Sequence, residues 1–265
     1  MFQSKFAPGV IIAALGCILS GAATAHEFTT TSSPADVKPG DTATFTLDSS
    51  HLFGTPEEAE AAKHLRATLI TRDQKTALDF KINPDAPNLI GTFDVPETAA
   101  WLSAHRLPVV WAQTPDGWQE GGLDQHTDAI AAVRYEKFAK HLVGQASGDG
   151  ADDFVRTPIG DKLEIVPLSD PRDTAIGQDA MFHILLDGQP LTTTVLATYG
   201  GFTDTPSSWA YATETLTDER GSGIAKVRIS APGMWVVRVA TDVSDQEQGV
   251  RGHNLRATLT FNVAD

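Results

Sequence analysis

The sequence predicts an all-β protein built from two β-sandwich domains, the C-terminal one immunoglobulin-like. Three observations carry that expectation. Short runs rich in β-branched and aromatic residues recur between clusters of Gly, Pro and Asp. No long stretch shows a helical period. One small, polar, acidic break at residues 144–153 divides the chain. The 265 residues, less a 25-residue leader, leave 240, enough for one large or two ordinary domains. The expected division is 1–25 as signal peptide, 26–142 as an N-terminal β-rich domain with a metal site, 143–160 as linker, and 161–265 as the immunoglobulin-like sandwich.

The elements follow in order. Lys5 gives a positive start, and Val10-Ile11-Ile12-Ala13-Ala14-Leu15 with Ile18-Leu19 makes an apolar stretch too short to span a bilayer. Ala23-Thr24-Ala25 is the small-x-small pattern of a signal-peptidase site, so cleavage after Ala25 exposes His26. A competing string, Ala14-Leu15-Gly16-Cys17, resembles a lipid-attachment site, with Ala14 where Leu is usual; lipidation at Cys17 would leave His26 internal. Residues 42–47 alternate as a half-buried strand does. Thr55-Pro56-Glu57-Glu58 carries an N-cap, a Pro at the first helical position and a capping-box Glu58, which predicts a short helix ending near His64. Residues 65–71 return to strand, and 109–112 with the turn Pro115-Asp116-Gly117 predict a hairpin. The stretch 127–142 carries both helical and strand signals, with strand favoured around Val133-Arg134-Tyr135. After the break, strands are expected at 163–168, 180–186, 193–199, 225–229, 234–239 and 255–263.

Composition narrows the function. Cys17 is the only cysteine and lies in the leader, so the mature chain has no disulfide, thiolate nucleophile or cysteine metal ligand. Net charge is −14, and loss of Lys5 makes it −15, which argues against nucleic acid or an anionic membrane as partner. No G-x-S-x-G elbow, P-loop, G-x-G-x-x-G or H-E-x-x-H occurs. Trp101, Trp111 and Trp118 could form a sugar-stacking face, but a β-rich core is their simpler home.

His26 carries the chemistry. A histidine at a free N-terminus offers its α-amine and ring Nδ1, which close one chelate ring on a metal. The amine's reference pKa of about 7.7–8.0 lets a metal displace its proton at neutral pH. One more imidazole places three nitrogens in a plane, a geometry suited to Cu(II) or Ni(II). His51, in Ser49-Ser50-His51-Leu52-Phe53 just after a strand, is the first candidate for that third nitrogen. His126, in Leu123-Asp124-Gln125-His126, is the second, and Glu27 and Asp124 are candidate oxygen ligands. His64 and His105 read as structural, and His183 and His253 as non-ligands.

Several segments together carry a resemblance. Gly160–Pro171 (GDKLEIVPLSDP), Leu185–Tyr199 (LLDGQPLTTTVLATY), Thr217–Gly221 (TDERG) and Pro232–Val239 (PGMWVVRV) resemble a family of exported β-rich proteins known as a domain of unknown function. Some members are described as periplasmic components of cobalt or nickel uptake systems. Ala25-His26 matches the pair that opens the mature chains, and Ser50-His51-Leu52-Phe53 matches a Gly/Ser-His-x-Phe element. Arg134-Tyr135-Glu136-Lys137-Phe138-Ala139-Lys140 matches a further R-Y-x-K-x-x-K-like segment. The resemblance implies a periplasmic, non-enzymatic metal-binding accessory protein that captures Ni(II) or Co(II) for membrane components of an uptake transporter. Its competitors are a histidine-brace copper protein or oxidase, and a non-catalytic surface interaction module.

Overall fold

The computed structural model describes residues 26–34, 37–145, 151–203, 211–218 and 220–264. The leader, its cleavage site and Cys17 lie outside the described residues. The N-terminal half contributes β1 (Glu27–Ser33), β2 (Thr42–Ser50), β3 (Leu65–Ile70), β4 (Lys75–Leu78), β5 (Phe80–Ile82), β6 (Leu89–Asp94), β7 (Ala100–Thr114), β8 (Gly117–Glu120) and β9 (Ala131–Val143). A short helix, α1 (Ala151–Val155), separates these from β10 (Leu163–Pro167), β11 (Asp179–Leu186), β12 (Gln189–Pro190) and β13 (Thr194–Tyr199). The chain closes with β14 (Thr213–Leu216), β15 (Ile224–Arg228), β16 (Gly233–Val243) and β17 (His253–Val263).

The protein is an all-β sandwich, as its alternating strands require. β7 shows how. Ala100, Leu102 and Ala104 enter one buried cluster while Trp101 enters another on the opposite face. Period-two alternation in a strand buried on both faces feeds two cores at once. The strands assemble into three sheets. A nine-stranded sheet runs β14-β13-β16-β17-β9-β7-β3-β4, with β8 paired to β7. A four-stranded sheet, β1-β2-β6-β5, shares the cluster of Phe28, Phe45, Leu47 and Phe93 with Leu102 and Ala139 of the large sheet. A second four-stranded sheet, β10-β11-β12 with β15 on β11, shares the other cluster, where Phe182 and Ile184 meet Trp235, Leu259 and Trp101. Each fully buried Phe, Leu or Ile in these clusters contributes about 1.5–3 kcal/mol.

The large sheet crosses the 143–160 segment. β17, the last strand, pairs parallel with β9, from His253 opposite Arg134 to Thr260 opposite His141. The cluster around Trp101 therefore takes Phe138 and Leu142 from one side of that segment and Trp235 and Phe261 from the other. Within the segment, Val155 is fully buried and Phe154 stacks on Trp101 with ring centroids 6.5 Å apart. A register shift between Arg106 and Val109 marks where Pro108, which has no N–H to donate, sits in β7.

β9 is polar yet buried. Glu136, Lys137, Lys140 and His141 are all less than a tenth exposed, and each has a partner from another segment. Lys137 donates to Glu60 at 2.9 Å and Lys140 to Glu164 at 2.7 Å. Glu136 accepts from His105 at 2.7 Å and lies 3.0 Å from His253 Nε2. Arg134, at the more open end, donates to Asp245 at 2.7 Å and Glu247 at 2.5 Å. Burial pushes the Glu60 carboxyl up, but the charges of Lys137 and Arg106 outweigh it and hold the group at about 2.

One expected element differs. Residues 55–64 do not form a helix; only Ala62–His64 makes a single 3-10 turn. The N–H groups of Glu57 and Glu58 both point at the Ser49 carbonyl, at 3.0 and 3.2 Å. Glu60 accepts from Ser49 Oγ at 2.8 Å besides its bond to Lys137. These long-range partners hold the segment extended against its local capping signals.

Two outcomes follow from this packing. Lys140→Ala strands the Glu164 carboxylate, itself 2% exposed, and should lower stability by about 3–5 kcal/mol in urea unfolding. His141 is fully buried, accepting from Ser32 and donating to Thr260, and burial lowers it from 6.5 to about 4. Its folded value lies below its unfolded one, so its contribution is complete above pH 6.5 and is lost as pH falls through 4. Stability should therefore drop by about 3 kcal/mol across that window, and the slope should shrink in His141→Gln.

Candidate metal centre

Strand register brings the site together. β1 and β2 pair antiparallel with Glu27 opposite Ser50. His26, just before β1, and His51, just after β2, therefore leave the same end of the same pair. Their rings meet edge to face, centroids 4.3 Å apart. A tight turn at Leu52–Thr55 then reverses the chain. Thr55 N–H donates to the Leu52 carbonyl at 3.0 Å, and Gly54 supplies the left-handed conformation at φ +80°. The reversal returns Glu57 to the two histidines.

Glu57 is the third member. Its Oε2 lies 2.7 Å from His51 Nδ1 and 3.2 Å from His26 Nε2, and its Oε1 accepts the His51 backbone N–H at 2.9 Å. Burial pushes its carboxyl up, but the hydrogen bonds from His51 and the charges of both histidines together leave it below its ordinary value. Glu58 approaches the other face of His26, with Oε2 3.0 Å from Nδ1. Ligand atoms of His26, His51 and Glu57 all lie within 4.8 Å of one another, the only such grouping among the described residues. The two imidazole side chains are 24% and 22% exposed, so the cluster is ordered by its neighbours yet open to solvent.

The start of β1 is pinned from below. Glu27 is 1% exposed, and its Oε1 accepts from Arg238 Nη2 at 2.7 Å and Arg256 Nη1 at 2.5 Å. Thr258 and Thr260 donate their hydroxyls to the carbonyls of Phe28 and Thr30, each at 2.6 Å. Glu27 is thus not an oxygen ligand beside His26; it anchors the strand that presents His26. Removing one partner of such a buried charge group costs about 3–5 kcal/mol.

The remaining histidines are elsewhere. His126 donates its Nε2 proton to the Glu120 carbonyl at 2.9 Å, closing its own turn apart from the cluster. Asp124 stays exposed in that turn. His64 faces Glu120, and His105 and His253 flank Glu136. His183 lies within β11. Glu57 and the Glu27 anchor are not visible in local sequence. The signal for Glu57 was its spacing of six from His51, masked by the stronger helix-start pattern around it.

Two imidazoles and one carboxylate suit the borderline divalent ions, Ni(II), Co(II), Cu(II) and Zn(II), and give no basis for a soft-metal preference. Three protein ligands leave coordination positions for exogenous ligands. His26 can use either ring nitrogen. Nε2 faces Glu57, whereas Nδ1, the atom able to chelate jointly with an α-amine, faces the exposed Glu58.

A family model described as a domain of unknown function, DUF4198, matches residues 23–242. The chain belongs to the DUF4198 family. The match contains the whole cluster of this DUF4198 protein and Arg238, and stops short of β17. Among curated proteins, none matches the chain significantly.

Removing the charge of Glu57 tests whether the cluster acts as a unit. Glu57→Gln should weaken divalent-metal binding by about tenfold in calorimetry while leaving the thermal midpoint of the metal-free protein within a few degrees.

Proposed function

We propose that the processed chain is a periplasmic metal-binding accessory protein that captures Ni(II) or Co(II) for the membrane components of an uptake transporter. The observation that carries the reading is the convergence of His26, His51 and Glu57 ligand atoms within 4.8 Å, on a surface open to solvent. Cargo capture asks for a site that binds and releases. A partly exposed set of three ligands suits that better than a closed four-ligand structural site. Cleavage after Ala25 adds the His26 amine, which joins Nδ1 in a chelate once Glu58 gives way. The resemblance to cobalt and nickel uptake components supplies the choice of metal.

A histidine-brace copper protein is the second reading. It is favoured by the two imidazoles meeting edge to face at 4.3 Å, with one of them at the residue a cleavage would expose. Copper and ascorbate separate the two. An oxidase would release hydrogen peroxide steadily above free copper and lose that activity in His26→Ala; the accessory protein should show no such turnover.

Four variants of correctly processed protein test the site. His26→Ala and His51→Ala should each weaken Ni(II) binding at least about tenfold, or about 1.4 kcal/mol. A Gly added ahead of His26 should do the same, because it keeps the imidazole and displaces the free amine. His126→Ala should leave binding unchanged. If His26→Ala and His51→Ala bind Ni(II) as tightly as the parent, the proposal is wrong. If only the extended protein does, the site uses imidazoles and carboxylate without the amine.

A further inference from the structure

Away from the histidine cluster, Lys140 and Glu164 form a buried pair that bridges the two halves of the chain. Their side chains are 3% and 2% exposed, and Lys140 Nζ lies 2.7 Å from Glu164 Oε1. Lys140 belongs to β9 of the large sheet and Glu164 to β10 of the sheet packed on it. Trp101 walls the pair, its ring centroid 4.7 Å from Nζ, and Phe154 stacks on that ring. Taking both charges out of water carries a penalty that apolar side chains would not incur. Register explains why a charge sits on β9 here. It does not explain what surrounds the carboxyl.

The setting of Glu164 is that of an activated carboxyl. Ile159 N–H donates to Oε1 at 2.8 Å and Gly160 N–H to Oε2 at 3.1 Å. Two backbone donors on one carboxyl stabilise the oxyanion that forms when a nucleophile adds to its carbon. A second acid stands in the same turn. Asp161 follows Gly160 directly, and burial pushes its carboxyl up to about 6 against the pull of the Lys140 charge. Such a group can hold and return a proton close to neutrality. A lysine amine, a polarised carboxyl and a neighbouring acid, enclosed by aromatic rings, are the components that an amide condensation needs.

We propose that Lys140 and Glu164 condense into an intramolecular amide that cross-links β9 to β10. Within the pair, one ammonium proton passes to the carboxylate. The freed lone pair on Nζ attacks Cδ of Glu164, and the Nζ–Cδ bond forms. A Cδ–O bond then breaks, and that oxygen leaves as water with two protons from the original ammonium. Asp161 relays one of them and is protonated again at the end. Nothing is oxidised or reduced, and no co-reactant enters. Nζ already touches an oxygen bonded to Cδ, and holding the two groups in contact raises their effective concentration far above any reached in solution. The product closes a loop over the 143–160 segment and ties the two halves together covalently.

Mass spectrometry of the full processed chain, unfolded and with its N-terminus defined, tests this. The parent should be one water lighter than its sequence requires. Its tryptic digest should contain a branched peptide joining Lys140 to Glu164. Lys140→Arg should show the full mass of its sequence. Glu164→Gln should be one ammonia lighter than its sequence, because the same attack on a carboxamide expels ammonia. Asp161→Asn, shown to be folded by circular dichroism, should form the link at least about tenfold more slowly than the parent. A folded parent that keeps its full sequence mass after prolonged incubation near neutral pH overturns the cross-link. A lighter parent whose branched peptide joins other residues overturns it equally.

Discussion

β9 and β17 pair in parallel, and the rest of the molecule hangs on that seam. Every residue from Glu136 to Val143 is buried, because sheets cover β9 on both faces. Apolar side chains would meet that demand alone, but four of these eight are charged or titratable. Their partners come from widely separated places: Glu60 before β3, His105 on β7, Glu164 on β10 and His253 on β17. Buried ion pairs add little net stability over well-packed hydrophobic residues, since desolvation offsets most of their attraction. Their value lies in register. A slip of one residue would turn each charge to the wrong face and leave it alone in an apolar layer. The seam thus sets which residues of the two halves lie opposite one another, and through Arg256 and Thr258 it fixes β1.

The cluster of His26, His51 and Glu57 inherits its geometry from that arrangement. Its three side chains come from a strand start, a strand end and a loop, places where a chain is ordinarily loose. Here Glu27 locks one, the β1–β2 register places the second, and the bonds from Glu57 and Glu58 N–H to the Ser49 carbonyl return the third. A Coulombic reason also holds Glu57 in place before any ion arrives. The two imidazoles donate to its carboxylate, so the three side chains satisfy one another.

Much of this was legible in the amino-acid sequence. The strands after residue 160 show in their β-branched runs and conventional turns, and β11 and β15 in their alternation as well. His26 and His51 stood out by position, one beside a small-residue cleavage pattern and one at a strand end. β9 was ambiguous for a physical reason: Arg134, Glu136, Lys137 and Lys140 look like a solvated face, and nothing local reveals the partners that bury them. The stretch around Thr55-Pro56-Glu57-Glu58 failed in the opposite way. Its capping signals are sound locally, but the Ser49 carbonyl and the Lys137 ammonium bid for the same groups from a distance. That override also hid Glu57, since a residue assigned to a helix start is not looked for in a ligand set. His126 had the right residue type in a loop, and only its bond to the Glu120 carbonyl shows it closing a turn.

The bond between Glu27 and Arg256 spans 229 residues of chain. Contacts so distant in sequence close late in folding, since the loop entropy must be met before they add stability. β1 is thus among the last strands to be fixed, waiting for β17 to supply its arginine. Until then His26 and His51 belong to a flexible pair that presents no fixed set of donors. The gathering of His26, His51 and Glu57 becomes a property of the finished molecule only, and a nascent or clipped chain lacking β17 carries all three side chains without the means to hold them together.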